Sequence, residues 1–168
     1  MIFPAWKQFR RVLALAALVA SATAVPASAG TQTTAELQAK SDLLVKINAA
    51  RTSRGIPALT LSRVLGVPAV RHSRYLARTG ELDHNGADGR PFYVRLYAAG
   101  FSRRKAVGEN LGLIAGCSTD AAAVMVKMWL ASPGHRRNLL SKNFKVVGLA
   151  VVQSPACAPT IYTTDFGG

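Results

Sequence analysis

Residues 128–152 read MWLASPGHRRNLLSKNFKVVGLAVV, and the stretch changes character three times. Its apolar start continues Ala121–Lys127 and has the composition of a buried helix. Ser132-Pro133-Gly134 then stops that helix, because proline offers no amide hydrogen and glycine favours turns. On the tight turn that follows, the chain presents His135, Arg136, Arg137 and Asn138. From Lys145 onward KVVGLAVV is rich in β-branched residues and reads as a strand, partnered by TIYTTDFG (160–167) across a proline-containing loop. The pair is expected to be antiparallel.

Upstream, Ala35–Arg54 carries Leu37, Leu44, Ile47 and Ala50 or Arg51 at helical spacing, with Thr33 or Thr34 as cap and Gly55 as a left-handed stop. Pro57 breaks that helix, and Ala58-Leu59-Thr60-Leu61 alternates as a short extended piece before Ser62, an N-cap candidate. Because Pro68 follows the cap so closely, the regular part of the second helix is expected over Val67–Arg78, with Gly80 after it. LDHNGADGRP (82–91) has loop composition, and Pro91 opens a short third helix stopped by Gly100. VGENLG (107–112) reads as irregular. Within Cys117-Ser118-Thr119-Asp120 lie caps for a fourth helix over Ala121–Ala131, with Ala121, Val124, Met128 and Leu130 as its apolar face and Trp129 as core or pocket wall. Helices early and strands late predict an α+β domain, helices stacked on a small sheet.

A chain of 168 residues with 49% hydrophobic content suits one domain and one core. Its first residues have the make-up of an export signal: a basic start through Lys7, Arg10 and Arg11, the apolar run Val12–Val25, and Ala27-Ser28-Ala29 as a cleavage site. Residues 1–29 are therefore expected to be a signal peptide, 30–36 a disordered lead-in and 37–168 the domain. The apolar run is shorter than the roughly 20 residues that span a bilayer, so no stable membrane anchor is expected. The whole chain has 21 Lys and Arg against 8 Asp and Glu. Without the leader the net charge is still about +10, which attracts anions. The basic residues are scattered and no nucleic-acid motif occurs, so nucleic acid is not expected; the charge reads first as a solvated basic surface and second as one that meets an anionic envelope surface. Cys117 and Cys157 are an even pair in an exported chain, which favours a disulfide over a metal pair or a catalytic thiol.

The landmarks NAARTSRGIPALTL (48–61), RHSRYLARTGELDHNGADG (71–89), YAAGF (97–101), VGENLG and the opening stretch stand in the order seen in one family. The chain resembles the CAP superfamily of cysteine-rich secretory proteins, antigen 5 and pathogenesis-related 1 proteins, in a compact bacterial form, over about residues 37 to 166. The resemblance implies a three-layer α-β-α sandwich with a small antiparallel sheet. It also implies that the histidine of the opening stretch lines a central cleft.

Matched motif by motif, the family's cleft residues fall on His84 in LDHN, Glu109 in GEN and His135 in SPGHR. The family's second acid, three places past the tryptophan, is Ser132 here. Two imidazoles from separate loops are the right donors for Zn²⁺ or another divalent metal with positions left open, so His84 and His135 are the candidate ligands. Glu109 would orient or deprotonate a bound water, or polarise a histidine. Arg136 and Arg137 would clamp an anionic group. The implied function is a non-catalytic module binding metal and a small anionic or lipid-like ligand. The rival is a metal-assisted hydrolase of peptide or cell-envelope polymer, which the loss of the second acid disfavours. His72 reads as a core histidine, Asp83 as bonding loop backbone, Asn110 as holding its loop and Asn138 as a fold anchor. Ser73 and Ser132 lack a nucleophile context.

Overall fold

The computed structural model describes residues 31–116, 120–153 and 159–168. The expected signal peptide and the Cys117–Cys157 bond lie outside the described residues. The chain runs α1 (Thr34–Thr52), β1 (Thr60–Leu61), α2 (Arg63–Thr79), α3 (Phe92–Ala98), β2 (Val107–Ile114), α4 (Ala121–Ala131), α5 (Pro133–Leu139), β3 (Val146–Val152) and β4 (Thr160–Gly167). The strands form one sheet in the order β1-β3-β4-β2.

Local chemistry accounts for most helix ends. Thr33 caps α1 in a full capping box: its hydroxyl accepts from the Glu36 amide and the Glu36 carboxylate accepts from the Thr33 amide. Ser62 caps α2 and Gly80 closes it in a left-handed conformation. The α2 start is nevertheless earlier than expected. Pro68 lies inside the helix, which continues through the missing hydrogen bond because Leu65, Pro68, Ala69, Val70 and Leu76 are all buried against the sheet. Asp120 caps α4. The residues after it correct the tight turn expected at His135: Pro133 stands at the first position of a second helix, α5, where its missing amide hydrogen costs nothing.

The sheet also departs from expectation. VGENLG is part of a full strand, paired with β4 from Val107↔Gly167 to Ile114↔Thr160, despite its two glycines. The sheet is mixed, because β1 runs parallel to β3 while β3-β4 and β4-β2 are antiparallel. Alternate residues supply the two faces. Val147, Leu149, Val151, Tyr162 and Phe166 join Leu43 and Ile47 of α1 and Met125, Val126 and Trp129 of α4 in the main core. Ala150 meets Ala69 and Val70 of α2 on the other face, where Leu111 and Ile161 meet Leu76. The result is the three-layer α-β-α sandwich. On α4 the buried face is Ala122, Met125, Val126 and Trp129, while the expected Val124 and Met128 are exposed. Lys127 is the only polar residue of that helix, so apolar periodicity could not select a face.

Gly148 lets α2 approach β3. A Cβ there would strike the Leu65 carbonyl group and the Gly66 amide, all backbone atoms. Gly148→Ala is therefore expected to force α2 off the sheet and cost about 1–3 kcal/mol, read as a lower urea midpoint. An unchanged midpoint would contradict this packing.

Candidate functional site

Glu109 sits in the middle of β2 on the α2 face and is 4% exposed. One carboxylate oxygen, Oε1, lies 2.7 Å from His84 Nδ1. The other pairs with Arg95 Nη2. Arg95 projects from α3 and donates through Nη1 to the His84 carbonyl oxygen at 2.8 Å, so one guanidinium fastens both the carboxylate and the loop that carries the imidazole. His72, buried on α2, holds the same loop by donating from Nε2 to the Asp83 carbonyl oxygen at 2.8 Å. The Asp83 carboxylate accepts from the Asn85 amide. His72 is thus the core histidine its sequence position suggests, and Asp83 bonds loop backbone.

The charge states follow from surroundings. Burial, then the Arg95 charge, lowers the His84 pKa, so the His84–Glu109 contact near neutral pH is a hydrogen bond from neutral imidazole rather than an ion pair. With Nδ1–H donated to Glu109, the lone pair of His84 is on Nε2. Burial and then Arg95 also lower His72, to about 4.

His135 lies on α5, which is fastened to β2 through its backbone. Asn110 Nδ2 donates to the His135 carbonyl oxygen at 3.0 Å, and Asn138 Nδ2 donates to the Glu109 carbonyl oxygen at 3.0 Å and to Asn110 Oδ1 at 3.1 Å. These amides tie α5 to the free edge of β2. The His135 ring is half-buried and makes no hydrogen bond among the described residues. Burial, and then the His84 charge, lower its pKa. Arg136 is exposed and its Nε donates to the Leu130 carbonyl oxygen at the end of α4. Ser132 joins α4 to α5 without a side-chain cap bond. Ser73 is buried and hydrogen-bonded to the Thr163 hydroxyl at 2.7 Å.

Two site residues escaped the sequence reading. Arg95 is the only charge on α3, a signal in itself. Asp165 lies directly opposite Glu109 in the β2-β4 register, is fully buried, and has no hydrogen-bond partner for either carboxylate oxygen among the described residues. An acid in a strand of threonine and apolar residues was the signal there. Burial raises its pKa to about 7, against the opposing pull of Arg95 and His84. The cluster therefore does hold a second carboxyl group, though not at position 132.

For a divalent metal, the candidate donors are the imidazoles of His84 and His135, of which His84 has its ring held by a hydrogen bond. His84 presents Nε2 while a carboxylate fixes its other nitrogen, the arrangement by which metal-binding histidines are oriented. The described residues bring together no group of three His, Cys, Asp or Glu suited to a metal, so such an ion would rely on ligand or water for its remaining positions. A groove of about 600 Å³ between the start of α1 and that of α2 contains none of these residues.

The sequence profile of the cysteine-rich secretory protein family, CAP, matches residues 44–166. The chain is 30% identical over 151 residues to the uncharacterized protein YkwD of Bacillus subtilis, covering 89% of this chain and 55% of that one, so it spans about half the length of this curated relative. Its fold is similar to that of an extracellular protein containing an SCP domain from Bacillus anthracis, with a TM-score of 0.66, 23% identity, and 82% of this chain and 44% of that one covered. It is also similar to an outer surface protein of Borrelia burgdorferi, with a TM-score of 0.64, 18% identity, and 77% and 92% covered.

Proposed function

Because the chain belongs to the cysteine-rich secretory protein (CAP) family, we propose that it is an exported binding module whose His84–Glu109–His135 cleft takes up a small anionic or lipid-like ligand, with a divalent metal such as Zn²⁺ held by the two histidines. Among the described residues no helix is long and apolar enough to cross a membrane. The similar proteins described as extracellular or outer-surface support export. The observation that carries the reading is the orientation of His84: Glu109 fixes Nδ1 at 2.7 Å and Arg95 fixes Glu109, so Nε2 is held ready for an electron-pair acceptor or a donor group of a ligand. A bound metal would supply a Lewis-acidic centre for an anionic head group.

The same geometry disfavours the rival, a metal-assisted hydrolase of peptide or envelope polymer. A general base must reach the proton it takes, and Glu109 is buried with both oxygens committed to His84 and Arg95. Its role is to polarise and aim His84. Titration calorimetry with Zn²⁺ separates the assignments. His84→Ala or His135→Ala is expected to remove most binding, and Glu109→Gln to weaken it about 10- to 100-fold. His72→Ala should lower stability and leave affinity nearly unchanged, because Arg95 still holds the His84 carbonyl oxygen. Affinity should fall as acid protonates the rings, and because both pKa values are lowered the fall begins below pH 6.5. Zn²⁺ binding by both alanine variants as tight as the parent's would end the metal assignment. Turnover of peptide or cell-wall substrate by the parent but not by Glu109→Gln would instead favour the hydrolase.

A further inference from the structure

The second helix holds four arginines, Arg63, Arg71, Arg74 and Arg78, and no acid. Arg71, Tyr75 and Arg78 are spaced to share one stripe of that helix. The stripe forms a wall of a pocket of about 310 Å³, whose other lining includes His72, Asp88 and Arg95. The pocket lies beside the His84–Glu109 cleft and is separate from it, with Arg95 common to both.

The charges of this pocket do not balance. Asp88 is its only acid and is already held by Arg90, with Nε donating at 2.7 Å and Nη2 at 2.6 Å. Arg95 is matched by Glu109, though its buried Nε has no acceptor among the described residues. Arg74 has Glu36 at 3.6 Å and the Thr31 carbonyl oxygen. Arg71 and Arg78 have neither hydrogen bond nor ion pair among the described residues. Two guanidinium groups are thus left over at a concave surface. Guanidinium presents a planar fork of donors matched to the oxygens of phosphate, and a phosphomonoester near neutral pH carries about two negative charges.

We propose that this pocket is a phosphate-binding site, in which Arg71 and Arg78 grip a phosphomonoester dianion with the Tyr75 hydroxyl between them. Arg95, its charge matched by Glu109, lines the rear of the pocket and joins it to the loop bearing His84.

Inorganic phosphate titrated into the parent at low ionic strength, followed by amide chemical shifts, provides the test. Saturable binding is expected, weakened about tenfold by Arg71→Ala or by Arg78→Ala and lost in the double variant. Both residues are exposed, so folding is not at stake. Lys127→Ala/Lys142→Ala removes the same charge from exposed positions outside the pocket and should leave phosphate binding within about twofold. Glycerol phosphate and phosphatidic-acid vesicles distinguish a soluble phosphomonoester from a membrane head group. Whichever binds should be lost in the double arginine variant. The site is overturned if the parent shows no saturable phosphate binding, or if the lysine pair costs as much as the arginine pair. It is equally overturned if the double arginine variant retains the parent's affinity. These readouts involve neither Zn²⁺ nor the two cleft histidines, so they stand or fall apart from the metal reading.

Discussion

Arg51→Leu is expected to lower the unfolding free energy by about 4 kcal/mol, with a fall in Tm on the order of 10–20 °C. Arg51 lies near the end of α1 with its side chain fully buried, and among the described residues no carboxylate pairs with it. Its charge is instead solvated by carbonyl oxygens: Nε donates to Pro57 at 2.9 Å, Nη1 to Leu139 at 2.8 Å and Ser141 at 3.0 Å, and Nη2 to Phe144 at 3.1 Å. One side chain thereby joins the loop after α1, the end of α5 and the segment leading into β3. Leucine would leave these acceptors without donors in a site that water reaches poorly, and each orphaned buried acceptor costs about 1–3 kcal/mol. Arg51→Lys should recover less than half of the loss, because a single ammonium cannot reproduce the fork. Urea denaturation of the three proteins checks this. A loss below about 1 kcal/mol for leucine would mean that the carbonyl groups find other donors.

The second large effect concerns Asp165. The carboxyl ionises near 3.8 in the unfolded chain but near about 7 when folded, so the folded protein holds this proton across the interval. Below pH 4 the group is protonated in both states and its contribution is fully present. As pH rises from 4 to 7 the unfolded state alone gains from ionisation and stability is lost; above 7 the loss levels off at about 4 kcal/mol as an upper bound. Asp165→Asn removes this dependence. Its stability relative to the parent should therefore climb between pH 4 and 7 and then stay level. His72 acts with the opposite sign: its folded pKa of about 4 lies below 6.5, so its contribution is present above pH 6.5 and lost as pH falls toward 4. The parent's profile is expected to be flatter than either variant's, with Asp165→Asn exposing the acid loss due to His72 and His72→Gln exposing the alkaline loss due to Asp165. Parallel profiles for parent and Asp165→Asn would show that the carboxyl does not titrate in this range.

The His84–Glu109 contact was readable in the sequence only through motifs. His84, Glu109 and His135 were singled out by the order of LDHN, GEN and SPGHR, since nothing in local periodicity marks His84 and Glu109, 25 places apart, as neighbours. Arg95 and Asp165 belong to the same cluster but lie outside those motifs. Their roles arise from pairings across the fold: Arg95 reaches Glu109 from α3, and Asp165 faces Glu109 through strand register.

What the sequence determined by itself was local. Thr33, Ser62 and Asp120 offer oxygens to free amides, Gly80 admits a left-handed stop, and the β-branched runs at 146–152 and 160–167 favour extended backbone; each acts within a few residues, and each is used as read. Tertiary structure decided the rest. Glycine-bearing VGENLG is a strand because β4 satisfies its backbone along eight paired residues, and Pro68 stays within α2 because burial of that helix outweighs one missing hydrogen bond. The apolar circumference of α4 contains no preferred face until a sheet covers one side. Buried Arg51 and Asp165 have their charge states set by surroundings that only folding assembles, since desolvation and long-range hydrogen bonds depend on the groups brought near and not on the residues next in the chain.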